Sequence, residues 1–134
     1  MTDTRVMVAV CGAHMSGLPL NGQLLALDGR LAATTATAEH YRLYHLVDFS
    51  PPRPGLLRVD KGGGSIALEV WEIPLSRYGA LVAAVPAPLC IGRLELADGV
   101  WVQGFLCESY AVEKARDITS YGGWRQFLAA GASA

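Results

Sequence analysis

The residues best suited to chemistry in this sequence lie in one short loop between two apolar segments. His14, the side chain in this loop that titrates near neutral pH, stands between Gly12 and Gly17. Glycine adopts backbone angles closed to other residues and lets a ligand approach the main chain. Successive backbone N–H groups in such a loop, close to a helix start, favour an anion. The loop therefore predicts an anion site with an acid/base histidine, although composition alone favours a plain connection with an exposed histidine equally well.

The remaining chemical groups form no catalytic or metal-binding pattern. His40 and His45 lack metal-ligand spacing, so we expect them to be surface or strand residues. No serine stands in a nucleophile-elbow motif. The cysteines are odd in number, have no close pair and are expected to be buried, reduced thiols: Cys11, Cys90 and Cys107. We therefore expect no metal ion or other cofactor, and a nucleophilic role for Cys11 finds no activating partner in the sequence.

Length and composition indicate one domain over residues 1–134, with a substantial hydrophobic core. Hydrophobic residues make up 51% of the chain and charged residues 17%, which excludes a disordered chain. The net charge is −1 without a basic block, so we expect no nucleic-acid partner. No segment is long and apolar enough to predict a membrane span or a signal peptide, and we expect a cytoplasmic protein.

Hydrophobic periodicity and turn residues predict an α+β fold with seven strands and four short helices. The predicted strands cover residues 5–10, 30–37, 41–47, 56–59, 65–73, 89–96 and 100–107. The predicted helices cover residues 20–27, 74–85, 109–116 and a last one that ends near residue 129. Prolines place residues 50–55 in a loop, and residues 60–64 are predicted to be a hairpin turn.

Two local features carry further expectations. Glu69 shares a strand face with apolar residues, so it is either a rim residue or an inward carboxylate with a partner, and we favour the inward position. Gly122 and Gly123 would each cost a helix about 1 kcal/mol relative to alanine. We therefore expect either a close backbone approach at these glycines or a helix that starts after them.

Residues 12–21, which read Gly-Ala-His-Met-Ser-Gly-Leu-Pro-Leu-Asn, resemble the opening motif of the C-terminal domain of allophanate hydrolase. Later segments resemble the same family in the expected order: residues 41–44, 54–59, 68–71 with 73–74, and 117–125. Together they cover nearly the whole chain. The resemblance implies a gamma-glutamyl cyclotransferase-like fold, a mainly antiparallel mixed sheet curled into a small barrel with flanking helices, and we expect five to seven strands with His14 at its mouth.

In that family an amidase domain acts on allophanate, and the C-terminal domain decarboxylates the product, N-carboxycarbamate, in urea degradation. The resemblance implies that His14 is the general acid/base and that its loop binds this small dianion. We expect backbone donors at Ala13, His14 and Met15, and Glu69 at the far wall of the site. The full predicted binding set is Gly12, Ala13, Met15, Ser16, Gly17, Asn21 and Glu69.

The 134 residues carry no amidase signature. We therefore expect a separate amidase or a second copy of the chain as a partner. Two alternatives stay open: a non-catalytic module that binds a small anion or an amidase, and an enzyme with cyclotransferase chemistry. Cyclotransferases use a glutamate after the central helix, and residues 83–89 contain no carboxylate, which disfavours the second alternative.

Overall fold

The computed structural model describes residues 4–131, which form eight strands and three α-helices. The strands are β1 (Arg5–Val10), β2 (Arg30–Ala36), β3 (Tyr41–Leu46), β4 (Arg53–Arg58), β5 (Ala67–Pro74), β6 (Leu89–Glu95), β7 (Trp101–Cys107) and β8 (Arg116–Asp117). The α-helices are α1 (Asn21–Ala26), α2 (Leu75–Ala83) and α3 (Trp124–Ala129), with 3₁₀ turns at Ser109–Val112 and Thr119–Tyr121. None of these helices is long and apolar enough to cross a bilayer.

The strands form two sheets. The first has five strands in the order β2-β5-β1-β7-β6, and the second has three in the order β4-β3-β8. Strand β1 lies at the centre of the first sheet, antiparallel to β5 and parallel to β7. Val8 and Val10 on one face and Ala9 on the other are buried, as expected for a central strand covered on both faces.

The α+β class is confirmed. Five of the six strand pairings are antiparallel, and the parallel one joins β1 to β7. The expectation that the sheet curls into a small barrel is wrong, because the sheet does not close. The edge strands β2 and β6 approach each other only through an isolated bridge between Thr37 and Leu96, so no ladder closes the five-stranded sheet. Period-two alternation shows which residues share a face, but it does not show which strands pair.

Strand β4 corrects the predicted loop over residues 50–55. It begins at Arg53 and includes Pro54 and Gly55. Pro54 has no backbone N–H to donate. The sheet tolerates this because β4 is its edge strand, with a neighbouring strand on one side only. The predicted hairpin at residues 60–64 is also wrong, since β4 and β5 belong to different sheets and the segment crosses between them.

The C-terminal helix starts after the paired glycines, which confirms one of the two expectations for them. Gly122 has φ +86°, in the left-handed region, and ends the preceding 3₁₀ turn. Helix α3 then begins at Trp124, which is 2% exposed, and it packs Phe127 into the main core. This helix brings Arg125 to the loop that carries His14.

Candidate functional site

The loop after β1 is a series of tight turns rather than an open arch. Met15 N donates to the Gly12 carbonyl at 3.0 Å, and Leu20 N donates to the Ala13 carbonyl at 2.9 Å. The side-chain amide of Asn21, at the start of α1, donates to the carbonyl of His14 at 2.8 Å. The Met15 N–H is thus engaged within the loop in the free protein.

The two loop glycines serve different purposes. Gly17 has φ +76°, so it occupies the left-handed region as expected. Gly12 is required by space instead, because a Cβ built there would lie 2.5 Å from Cδ and 2.8 Å from Cγ of Pro54. The loop of the first sheet therefore lies directly against the edge strand of the second sheet at this point.

Gly12→Ala is expected to destabilise the domain and to displace the loop from β4. A proline ring cannot move away as a flexible side chain would, and overpacking of this kind costs about 1–3 kcal/mol. Urea denaturation would measure the loss of free energy of unfolding. Gly22→Ala is the matched control, since a Cβ there meets nothing within 4 Å and alanine favours helix α1. Equal stability of the Gly12 variant and the wild type would contradict this packing.

The imidazole of His14 is buried at the junction of three elements. The residue is 6% exposed. Nε2 lies 2.9 Å from Oε1 of Gln23 on α1, and the ring meets the Phe105 ring of β7 edge-on, with centroids 4.8 Å apart. As the Gln23 amide is oriented, Oε1 only accepts, so Nε2 carries the proton and Nδ1 is the acceptor of the neutral ring. His14 is therefore held in one orientation by contacts on two sides.

Burial lowers the pKa of His14 below its ordinary value of 6.5, and the nearby positive charge of Arg53 lowers it further. The hydrogen bond with Gln23 acts in the opposite direction but does not outweigh burial. The free protein consequently holds His14 neutral at pH 7. An anion placed beside the ring would favour the protonated form.

Two small clefts flank His14, with volumes of about 20 and 30 Å³. Both are bordered by His14, Arg53, Leu89 and Phe105. The first also includes Gly12 and Ala13 among its lining residues, and the second includes Gln23 and the end of α2. No carboxylate lines either cleft, so the fixed charge that they share is the guanidinium of Arg53.

Arg53 is the site residue that sequence reasoning missed. The prolines around it indicated a loop, whereas it is the first residue of strand β4. Its Nε atom is buried without a hydrogen-bond partner among residues 4–131, and its guanidinium stacks over the ring of Phe49 with 5.0 Å to the centroid. A signal was present, because Arg53 directly precedes the segment 54–59 that carries part of the family resemblance.

Glu69 is inward, as expected, but it contacts the protein rather than a cleft. Its Oε1 accepts hydrogen bonds from Ser16 N at 2.8 Å, Ser16 Oγ at 3.1 Å and Trp71 Nε1 at 3.0 Å. Its Oε2 pairs with Arg125 Nη2 at 3.0 Å, and the same Nη2 donates to the Ser16 carbonyl at 2.7 Å. The carboxylate lines neither cleft and ties the loop to β5 and α3. We call this group, Glu69 with Ser16, Trp71 and Arg125, the loop clamp.

Hydrogen bonding decides the ionisation of Glu69. Burial by itself would raise its pKa, but the donors in Ser16, Trp71 and Arg125 outweigh burial, so the pKa lies below its ordinary value of 4.5. The carboxylate is therefore ionised at neutral pH and can hold its cationic and neutral donors together.

The structure brings Gly12, Ala13 and His14 together in the cleft walls. The other predicted binding residues, Met15, Ser16, Gly17, Asn21 and Glu69, line neither cleft, and their contact with a ligand stays a prediction. Cys11 borders the first cleft, but burial raises its pKa to about 12, so it is a protonated thiol. His45 lies on β3 and packs against the Trp124 and Phe127 rings, as a strand residue.

A larger cleft lies elsewhere, between the loop after β3 and the 3₁₀ segment near residue 110, with a volume of about 340 Å³. It contains Asp48, Glu113 and Lys114 but neither histidine nor cysteine. The candidate site is therefore the pair of smaller clefts at His14, which a titratable ring and an unpaired cation share. Within residues 4–131 no cluster of three side chains is arranged to hold a metal ion.

The sequence from the second residue of β1 to the end of α3 matches a known family. The model of the allophanate hydrolase C-terminal domain matches residues 6–129. This chain belongs to that family. It is 42% identical over 130 residues to the urea amidolyase of Saccharomyces cerevisiae, covering 94% of this chain and 7% of the yeast protein.

Solved structures agree with this family assignment. Kluyveromyces lactis allophanate hydrolase is 40% identical with a TM-score of 0.90, over 95% of this chain and 21% of that chain. The uropathogenic E. coli-specific protein c4763 is 38% identical with a TM-score of 0.87, over 94% of this chain and 97% of that one. A mouse aig2-like protein, also named ggact, shares 19% identity and a TM-score of 0.60, which supports likeness of fold alone. This chain thus matches only a small part of the length of its yeast relatives.

Proposed function

We propose that this domain decarboxylates N-carboxycarbamate, with His14 as the general acid. The observation that carries the proposal is the pairing of a buried, neutral imidazole with an unpaired cation in clefts that hold no carboxylate. Such clefts suit a small anion, because an acid side chain at this place would compete with the ligand for the cation. The family to which the chain belongs supports the choice of substrate.

N-carboxycarbamate has two carboxylates on one nitrogen. When it binds, its negative charge favours the imidazolium form of His14, so we expect the ring to take up a proton at Nδ1 from solvent. The Nε2 proton would stay in the hydrogen bond to Gln23. The loop amides of Ala13 and His14 would hold one carboxylate while the other departs.

The proposed step breaks one carbon–nitrogen bond. Its electron pair goes to the nitrogen as carbon dioxide leaves, and the nitrogen takes the proton from His14 Nδ1, which gives carbamate and a neutral imidazole. A positioned general acid contributes about 100- to 10,000-fold in rate. Burial of His14 favours this direction, because the ring in the low-dielectric site is more stable neutral than charged once the anion has gone.

The substrate would come from an amidase that acts on allophanate. The chain covers 21% of the Kluyveromyces lactis allophanate hydrolase chain, so the rest of that enzyme has no counterpart in these 134 residues. We propose an amidase, in the same or another polypeptide, as the functional partner. A homodimer stays a prediction that light scattering on the purified chain would check.

Carbon dioxide release tests the proposal. An amidase domain that lacks its own C-terminal domain would generate N-carboxycarbamate from allophanate, with and without this protein. We expect this protein to accelerate carbon dioxide release in proportion to its concentration, without changing the amidase step. A rate equal to that of the amidase alone would reject the enzymatic proposal and favour the module that binds a small anion. The cyclotransferase alternative has no support, since it requires a glutamate and no carboxylate lines the clefts.

A further inference from the structure

We propose that Arg53 binds a carboxylate of the ligand directly and so holds a small dicarboxylate between the two sheets, beside His14. The inference deepens the proposed function, because it assigns a new binding residue to the same site, and it rests on that function only for the identity of the natural substrate. Dicarboxylate binding itself can be tested without any turnover.

Among the residues that the structure describes, Arg53 lacks a carboxylate partner although it is partly buried, whereas the other arginines without such a partner are exposed. Four arginines within residues 4–131 pair with carboxylates: Arg5 with Asp28, Arg42 with Asp117, Arg58 with Glu95, and Arg125 with Glu69. Arg53 makes no such pair in that part of the chain, although it is half-buried and its Nε is fully buried. A buried donor without a partner carries an unfavourable desolvation cost.

The surroundings of Arg53 hold its guanidinium in place for a ligand. The ring of Phe49 stacks on it, and Pro54, the next residue, packs against Gly12 of the loop. Planar guanidinium groups bind carboxylates through two parallel hydrogen bonds, which an ammonium group cannot reproduce. An anion that reached Arg53 would pair its charge and satisfy its orphaned donor.

The position of Arg53 limits the ligand to a short molecule. It borders both small clefts together with His14, so a small ligand that widened either cleft would contact the two side chains at once. The other titratable residue of the cleft walls is Cys11, whose thiol stays protonated. One carboxylate on Arg53 and a second at the Ala13 and His14 amides would place the central atom of the ligand near the imidazole. Two carboxylates joined by a single atom match this arrangement.

The test uses malonate, a stable dicarboxylate whose carboxylates are joined by one carbon. Calorimetric titration would give its affinity, and NMR of the His14 ring would report the pKa of the imidazole with and without malonate. We expect malonate to raise the pKa of His14 in the wild type, with Arg53, Cys11 and the neutral Gln23 and Phe105 as the surrounding groups. Arg53→Met should weaken malonate binding by about 10- to 100-fold while it retains contact with Phe49.

Two further variants separate binding geometry from overall charge. Arg53→Lys keeps the charge but loses the paired donors, and we expect it to recover only part of the affinity. Arg30→Met removes the same charge from an exposed position on β2, at the opposite edge of the five-stranded sheet from β6, and it should bind malonate as the wild type does. Circular dichroism would confirm that each variant is folded. Wild-type affinity in folded Arg53→Met, or absence of malonate binding in the wild type, would overturn the assignment.

Turnover distinguishes failure of this inference from failure of the proposed function. In the coupled amidase assay, Arg53→Met should raise the apparent KM for N-carboxycarbamate more than it lowers kcat, because Arg53 holds the carboxylate and does not donate the proton. Arg53-dependent malonate binding in a protein that releases no carbon dioxide would reject the decarboxylase and keep the binding residue. Turnover with an unchanged KM in Arg53→Met would keep the decarboxylase and reject Arg53 as a binding residue.

Discussion

Replacing His14 with alanine is expected to abolish the acceleration of carbon dioxide release and to leave the domain folded. The variant removes the proton donor, and a positioned general acid is worth about 100- to 10,000-fold in rate. The loop should keep its shape, because its internal hydrogen bonds run through the backbone and through the Asn21 contact to the His14 carbonyl, which alanine retains. The coupled assay with an amidase domain measures the rate, and circular dichroism measures the fold.

Two companion variants make the result specific to the imidazole. His14→Asn keeps a donor, so malonate binding should partly survive while proton transfer is lost. His40→Ala changes an exposed histidine outside both clefts and should leave the rate unchanged. An acceleration that persisted in His14→Ala would keep the reaction and remove His14 from its mechanism.

The loop of His14 could be predicted because its signals are local. An apolar strand, two glycines and a following helix are contiguous in the sequence, and the structure places Gly12, Ala13 and His14 in the cleft walls. The purpose of Gly12 could not be predicted. Gly12 must lack a side chain because a Cβ there would clash with Pro54, which is 42 positions away in the sequence and belongs to another sheet.

Arg53 and Glu69 show why the rest of the site escaped sequence reasoning. The prolines beside Arg53 are compatible with a loop or an edge strand, and only the pairing of β4 with β3 decides between them. The alternation around Glu69 showed that the carboxylate points inward. The alternation could not show that Arg125, 56 positions later, would form an ion pair with this carboxylate. The partners of Glu69 in the loop clamp therefore depend on long-range pairing, which local patterns do not encode.

Glu69→Ala is expected to give the largest loss of stability among single changes at the site. It would leave the donors of Ser16 and Trp71 without an acceptor and Arg125 without its anion. Unsatisfied buried donors cost about 1–3 kcal/mol each, while the half-exposed guanidinium of Arg125 can turn toward water and adds little. We expect the free energy of unfolding to fall by about 2–4 kcal/mol, measured by urea denaturation at pH 7.

The pH dependence of this loss identifies the carboxylate. The folded-state pKa of Glu69 lies below its ordinary value of 4.5. The ionised carboxylate therefore contributes its full stabilisation of the folded state at pH values above 4.5. It is lost as the pH falls through the depressed folded-state pKa. The difference in stability between wild type and Glu69→Gln should therefore shrink in acid, whereas Glu39→Gln, an exposed control, should show no such change. A difference that is constant from pH 7 into acid would contradict an ionised clamp.

The division of the strands into two sheets has a mechanical consequence for a site built across both. His14 and Phe105 belong to the five-stranded sheet, whereas Arg53 begins the edge strand of the three-stranded one. A small slide of one sheet over the other would change the gap between cation and imidazole and leave the backbone ladders within each sheet intact, at the cost of the contacts of Glu95 with Tyr41 and Arg58 that join the sheets. A bound dianion would act as a removable cross-link that holds the sheets in register. Substitutions at packing points between the sheets such as Gly55, which leaves no room for a Cβ beside the Cys107 sulfur, would then alter affinity without touching the ligand.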